Sequence, residues 1–150
     1  MMEKDPKMVS SFEGLAELAL SQLRILEQCS IVCGPISTGG LGSVEKNIEI
    51  IKVVSDYLES TGIRIFNNIF YEKYIVKLKN EWESEGNTGY CTPILENFYL
   101  ALYKSGHIKI AYFLPGWESS YGASWERNIL PKCGVKIIDL EQSKIQLLFT

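Results

Sequence analysis

The chain has 150 residues, 46% of them hydrophobic and 22% charged, with a net charge of −3. That length suits one domain with a real core and is short for two. No long basic run exists, which excludes sequence-independent binding to a nucleic-acid polymer, and no apolar run approaches a bilayer span, so no membrane partner is expected. Residues 1–11, MMEKDPKMVSS, carry acids and lead into no apolar signal core, so a cytoplasmic location is expected.

In chain order, Met8 to Gln28 reads as a helix, with Phe12, Leu15, Leu18, Leu23 and Leu26 at roughly helical intervals. It precedes the first strand, so residues 1–29 are read as an N-terminal helical extension to an α/β domain over residues 30–150. Ser30 to Cys33 is a short apolar strand ended by Gly34 and Pro35. Ser43 caps a helix from Val44 to Ser60, whose Ile48, Ile51, Val54, Tyr57 and Leu58 form an apolar stripe. Ile63 to Phe66 is the second strand, with Asn67 and Asn68 at its carboxyl end. Phe70 to Glu83 is helical, and Thr92 caps a further helix from Pro93 to Ser105. Ile108 to Leu114 is the third strand, Tyr121 to Lys132 a helix, and Val135 to Leu140 the fourth strand. Gln142 to Thr150 reads as an edge strand or a tail.

Strands alternating with helices predict a Rossmann- or flavodoxin-like three-layer α/β sandwich, with a mainly parallel sheet of about four or five strands. Right-handed crossovers then bring every strand's carboxyl end to one rim. That rim collects the Gly34 to Gly42 loop, Asn67-Asn68, and the Pro115 to Gly122 turn. In the last of these, LPGWESSYGASWE, Ser119 or Ser120 caps the following helix and Gly122 lies in its first turn. Glu126 stands one turn beyond Gly122 on the same face. Strand end, polar turn, helix start and acid together make the kind of place where open α/β sheets bind small anionic ligands.

The loop GPISTGGLGS is not a Walker loop, because no Gly-Lys-Ser/Thr ends it. Gly39, Gly40 and Gly42 either leave backbone N–H groups open to a phosphate or sugar hydroxyl, or serve a flexible connection. Cys29, Cys33, Cys91 and Cys133 include no CxxC pair, and His107 is the one histidine. Reduced, partly buried thiols are expected, with no metal and no cofactor. Trp82 and Trp125 read as core or interface aromatics, and Trp117, after the strand-ending Gly116, as a surface on which a base could stack.

With Gly34-Pro35-Ile36 after the first strand, Asn47 in the next helix, and LPGWESSYGASWE, the chain resembles the nucleoside 2-deoxyribosyltransferase superfamily, above all its small members with GP early and LPGWxxSxGAxxE late. It is also similar to the 2'-deoxynucleoside 5'-phosphate N-hydrolases, over roughly Ser30 to Leu140. The resemblance implies that Glu126 attacks the anomeric carbon and that Ser120 and Gly122 receive a 5'-phosphate. It also implies that Gly34, Pro35, Ile36, Ser37, Gly39 and Gly40 surround base and sugar. Asn67, Trp117 and Glu118 complete the expected binding set.

The sequence departs from the family at three places. Where the family's helix carries its second catalytic acid, an aspartate, this chain has Tyr99; Glu96, within a turn, is the acid expected to serve. His107 and Lys109 stand where an aspartate often begins the third strand, and Ser37 replaces the arginine of the hydrolase loop. The expected activity is cleavage or transfer at the N-glycosidic bond of a nucleoside or nucleoside 5'-monophosphate. The alternatives are a non-catalytic module that binds such a molecule and a structural partner in a larger assembly. Relatives of the family assemble as homodimers or larger symmetric oligomers, and the resemblance implies the same here.

Overall fold

The computed structural model describes residues 9–150. Met8, the expected start of the first helix, lies outside them with the seven residues before it. Ser11 caps the helix instead, its Oγ accepting from the Gly14 amide at 3.0 Å, and α1 runs Phe12–Leu26.

Strands β1 (Cys29–Cys33), β2 (Ile108–Phe113) and β3 (Lys136–Asp139) pair in parallel in the order β1-β2-β3. Every residue of β1 is buried, as a parallel strand covered on both faces requires. Because side chains alternate, Ile31, Cys33, Ala111 and Phe113 enter one core, while Val32, Tyr112 and Leu114 enter the other. The first core holds α1, α3 (Glu72–Ser84) and the segment around α4 (Leu100–Lys104), with Ala123 of α5 (Tyr121–Ile129). The second holds α2 (Val44–Ser60), through Ile51, Val54 and Leu58, and Ile145 of α6 (Gln142–Leu147). Helices thus cover both faces of the sheet. Helix α1 is continuous with the first core: Leu15, Ala19 and Leu23 are fully buried in it.

Three expectations are corrected. Among the described residues the sheet has three strands, not four or five. The segment predicted as a second strand, Ile63 to Phe66, makes one parallel bridge, Ser30 with Ile65, flanked by Ser30 N–H to Arg64 O and Phe66 N–H to Ser30 O, each 2.8 Å. It leaves β1 at once because Asn68 enters a 3-10 turn, Asn68–Tyr71, that leads into α3. The end of the chain is α6 rather than an edge strand or tail; QSKIQL has helix-forming residues and a single buried apolar position, Ile145, which a helix buries and a period-2 strand does not need.

The helix predicted over Pro93 to Ser105 begins as a π-helix, Ile94–Tyr99, and only then becomes α4. Thr92, the expected cap, does not cap it: Pro93 takes the cap position and no side-chain bond is made there. Phe98 and Tyr99, successive residues of this π segment, are both buried.

Candidate active site

The glycine loop and the late turn are locked together at the carboxyl end of the sheet. Gly34 lets the two strand ends approach closely: a Cβ there would stand 2.7 Å from Leu114 Cδ1 and would have to displace that side chain. Asn47, buried in the first turn of α2, staples the loop: its Nδ2 donates to Ile36 O at 3.0 Å and Gly39 O at 3.2 Å. Its Oδ1 accepts from the Leu41 amide at 2.9 Å. Gly40 N–H donates to Ser119 Oγ at 2.8 Å, and Tyr121 N–H donates to Thr38 Oγ1 at 3.0 Å. Gly39, at φ +66°, lies so close to Ser119 that a Cβ would meet its carbonyl oxygen at 2.2 Å.

Beside this clasp lies a cavity of about 330 Å³, within the usual range for small-molecule sites. It is lined on one side by Gly34, Ile36 and Ser37, on another by Ser120, Gly122 and Glu126, and on a third by Asn68, Glu72 and Tyr99. Three segments far apart in sequence therefore meet, two of them in the loop and turn singled out by the sequence.

Glu126 is 8% exposed. Its Oε2 accepts from Tyr103 Oη and, at 3.6 Å, from Cys33 Sγ. Both donors come from the packed layer, one on α4 and one at the end of β1, so the carboxyl group is held by one oxygen. Among the described residues no donor reaches Oε1. Burial pushes the Glu126 carboxyl up to about 7, while the bonds from Tyr103 and Cys33 pull against that rise. Burial, reinforced by the neighbouring carboxylate, also raises the Cys33 thiol and the Tyr103 phenol well above their ordinary values, so both remain protonated donors.

The second acid is not where the sequence pointed. Glu96 is exposed on the π segment and lines no part of the cavity; Glu118 is exposed in the 3-10 turn Trp117–Ser119 and is likewise outside it. Glu72, the first residue of α3, lines the cavity, and burial pushes it up to about 7 against the opposing pull of Lys79. A signal existed: Glu72 lies three residues before Ile75, on the inward stripe of its helix, where a carboxylate is out of place. Tyr99 also lines the cavity; its Oη is buried and, among the described residues, finds no hydrogen-bond partner, with Asn68 the neighbouring polar side chain.

Other expected residues sit apart. Asn67 is exposed and outside the cavity; its neighbour Asn68, turned inward by the 3-10 turn, takes the place. Trp117 packs edge-on against Phe113 at 6.1 Å, with the Arg127 guanidinium 4.7 Å from its ring centroid, and offers no face to the cavity. Pro35, Gly39 and Gly40 shape the loop without lining the cavity: a Cβ on Gly40 would meet Pro35 Cβ at 2.6 Å. Among the described residues no three His, Cys, Asp or Glu side chains converge to hold a metal ion, and no helix is long and apolar enough to cross a membrane.

No family model, curated protein or solved structure matches the chain. The site must be read from its own chemistry.

Proposed function

We propose that this protein cleaves or exchanges the N-glycosidic bond of a nucleoside-type substrate on a Rossmann- or flavodoxin-like fold, with Glu126 as nucleophile. The observation that carries the reading is a buried carboxylate anchored by one oxygen and open at the other, facing a cavity that holds a second carboxyl group. The Ile65–β1–β2–β3 order, with the Ile65 bridge beside β1, supports the fold.

In this mechanism Glu126 Oε1 attacks the anomeric carbon and the C–N bond to the base breaks. The base leaves with the bonding electron pair and takes a proton from the Glu72 carboxyl. The sugar is then esterified to Glu126. Water, or the nitrogen of a second base, attacks the same carbon while Glu72 takes back the proton, and Glu126 leaves as carboxylate. The reacting form has Glu126 ionised and Glu72 protonated. With both groups near 7, base release peaks around neutral pH and falls on either side.

The test is release of free base from a panel of nucleosides and nucleoside monophosphates by wild type and Glu126→Gln. The variant keeps the shape and one acceptor oxygen but lacks the anion, so release falls by about two or more powers of ten. Wild-type release by Glu126→Gln removes Glu126 from the mechanism. A second reading has one observation in its favour: Tyr99 stands where the resembled family has its aspartate. It is a module that binds the same molecule without turnover. Ligand-induced thermal stabilisation of the wild type with no base released would decide for it.

A further inference from the structure

Resting on the glycosidic reading of this cavity, we infer that Asn68 selects the leaving base, holding one edge of it by hydrogen bonds from the side-chain carboxamide. Two asparagines are buried among the described residues, and they are used in opposite ways. Asn47 spends its carboxamide on three backbone groups of the glycine loop. Asn68 is 5% exposed and lines the cavity, yet among the described residues its carboxamide is bonded to no protein group. The 3-10 turn that it begins has no side-chain cap bond either. A buried amide without a partner costs stability, so folds keep few of them, and one on a cavity wall is a group that a ligand satisfies.

The chemistry says which part of the ligand that is. Glu126 stands with Ser120 and Gly122 on one wall, and Glu72 stands on another. The base takes its proton from Glu72, so it lies within bonding reach of the Glu72 wall. Asn68 shares that wall: it begins the 3-10 turn Asn68–Tyr71, and Glu72 is the next residue after the turn. One proton from Glu72 does not tell one base from another. A carboxamide does, because its donor and acceptor lie side by side and match only a base edge that offers an acceptor beside a donor. Tyr99 Oη is enclosed next to Asn68 without a partner among the described residues, and burial raises the phenol well above its ordinary value, so it keeps its proton. When the carboxamide turns to accept from this phenol, one lone pair of Oδ1 is used; the other, with Nδ2, stays free for the base. The Tyr99 ring is itself fixed, stacked on Tyr103 at 6.0 Å and edge-on to Phe98 at 4.9 Å.

The test uses the full chain and the four common 2'-deoxynucleosides, which share one sugar and differ in base, with the four ribonucleosides as a second set. Calorimetry gives the dissociation constants, and chromatography of free base gives kcat/KM. Within a set, wild type is expected to bind its preferred base about tenfold or more tightly than its weakest. Asn68→Leu keeps the approximate shape and removes both hydrogen-bonding groups. It is expected to lose about tenfold or more on the preferred base and less than about threefold on the weakest. It is also expected to melt no lower than wild type, since no protein bond is lost. Asn68→Asp keeps acceptors and loses the donor, and is expected to change the order of the four bases. Wild type that binds all four bases alike overturns the inference and leaves the glycosidic reading standing. So does Asn68→Leu with wild-type circular dichroism and an unchanged spread, or Asn68→Asp with an unchanged order. Equal losses across the four bases in Asn68→Leu would put Asn68 on the sugar and overturn the inference too. Base-selective binding that Asn68→Leu abolishes, with no base released by wild type, supports the inference and overturns the enzymatic reading. Binding of neither set overturns both.

Discussion

Glu126 is ionisable and held where its charge is poorly solvated, and this links stability to the proposed chemistry. Its ordinary value, 4.5, rises to about 7 in the fold because burial disfavours the anion. The folded state therefore binds this proton more tightly than the unfolded chain does. The associated stability is fully present below about 4.5, declines as pH rises towards 7, and is gone above it. The whole difference is about 3 kcal/mol. Glu126→Gln carries no such loss, so it is expected to melt roughly 5–10 °C above wild type at pH 8 and to lose that lead near pH 4.5, which thermal scans at both pH values will show. Tyr103 acts on the same group in the opposite sense, since its hydrogen bond lowers the Glu126 value. Tyr103→Phe is expected to move the acid limb of the base-release profile about one unit towards alkaline pH, as the anion loses a donor. An acid limb that stays in place would mean that Glu126 ionisation does not govern it.

Between elements, the contact that shapes the site is the clasp of the glycine loop on the 116–121 turn. Gly39 and Gly42 separate conformational strain from contact. Both have positive φ, +66° and +88°, but a Cβ on Gly39 runs into the Ser119 carbonyl whereas one on Gly42 meets nothing within 4 Å. Gly42→Ala carries only the left-handed penalty of about 1 kcal/mol. Gly39→Ala adds a backbone clash and is expected to cost about 2–3 kcal/mol in urea unfolding, with weakened ligand binding as the clasp opens. Equal costs for the two would show that the clasp contributes nothing. Asn47 belongs to the same element-level design. Its amide satisfies three backbone groups of the loop from the helix behind it, which gives that residue a structural role where the resemblance offered only a motif match.

For the whole molecule, the decisive feature is that α1 is shared with the core on one face of the sheet. Leu15, Ala19 and Leu23 have no exposed surface, and their neighbours include Tyr103 and Leu102, on the helix that also holds Glu126 in place. A chain begun at Gln28 would bare those contacts, at about 1.5–3 kcal/mol for each large apolar side chain left unburied. Against the usual margin of about 5–15 kcal/mol, that truncation is expected to abolish the cooperative thermal transition. A truncated chain with a sharp transition would instead make residues 1–29 a separable extension.

Local chemistry was legible from the sequence. Ser43 caps the helix it was expected to cap, and Ser120, one of the two serines offered by the late turn, caps α5, because a cap needs only its own next three residues. The helix Val44 to Ser60 has its expected bounds, and Gly122 and Glu126 share one face because that follows from helical pitch. The glycine loop and the late turn could be assigned to one rim from strand–helix alternation alone. What depended on distant partners could not be read. Whether Ile63 to Phe66 is a strand depends on how long it stays beside β1, and the 3-10 turn at Asn68 ends that after one bridge. Asn68 rather than Asn67, and Glu72 rather than Glu96, reach the cavity because that turn and the π segment rotate side chains by amounts no regular periodicity encodes. Most of all, the bonds that close the glycine loop onto the late turn are invisible in the sequence: Gly40 N–H finds Ser119 Oγ and Tyr121 N–H finds Thr38 Oγ1, across 79 and 83 residues, only when the sheet brings its strand ends together.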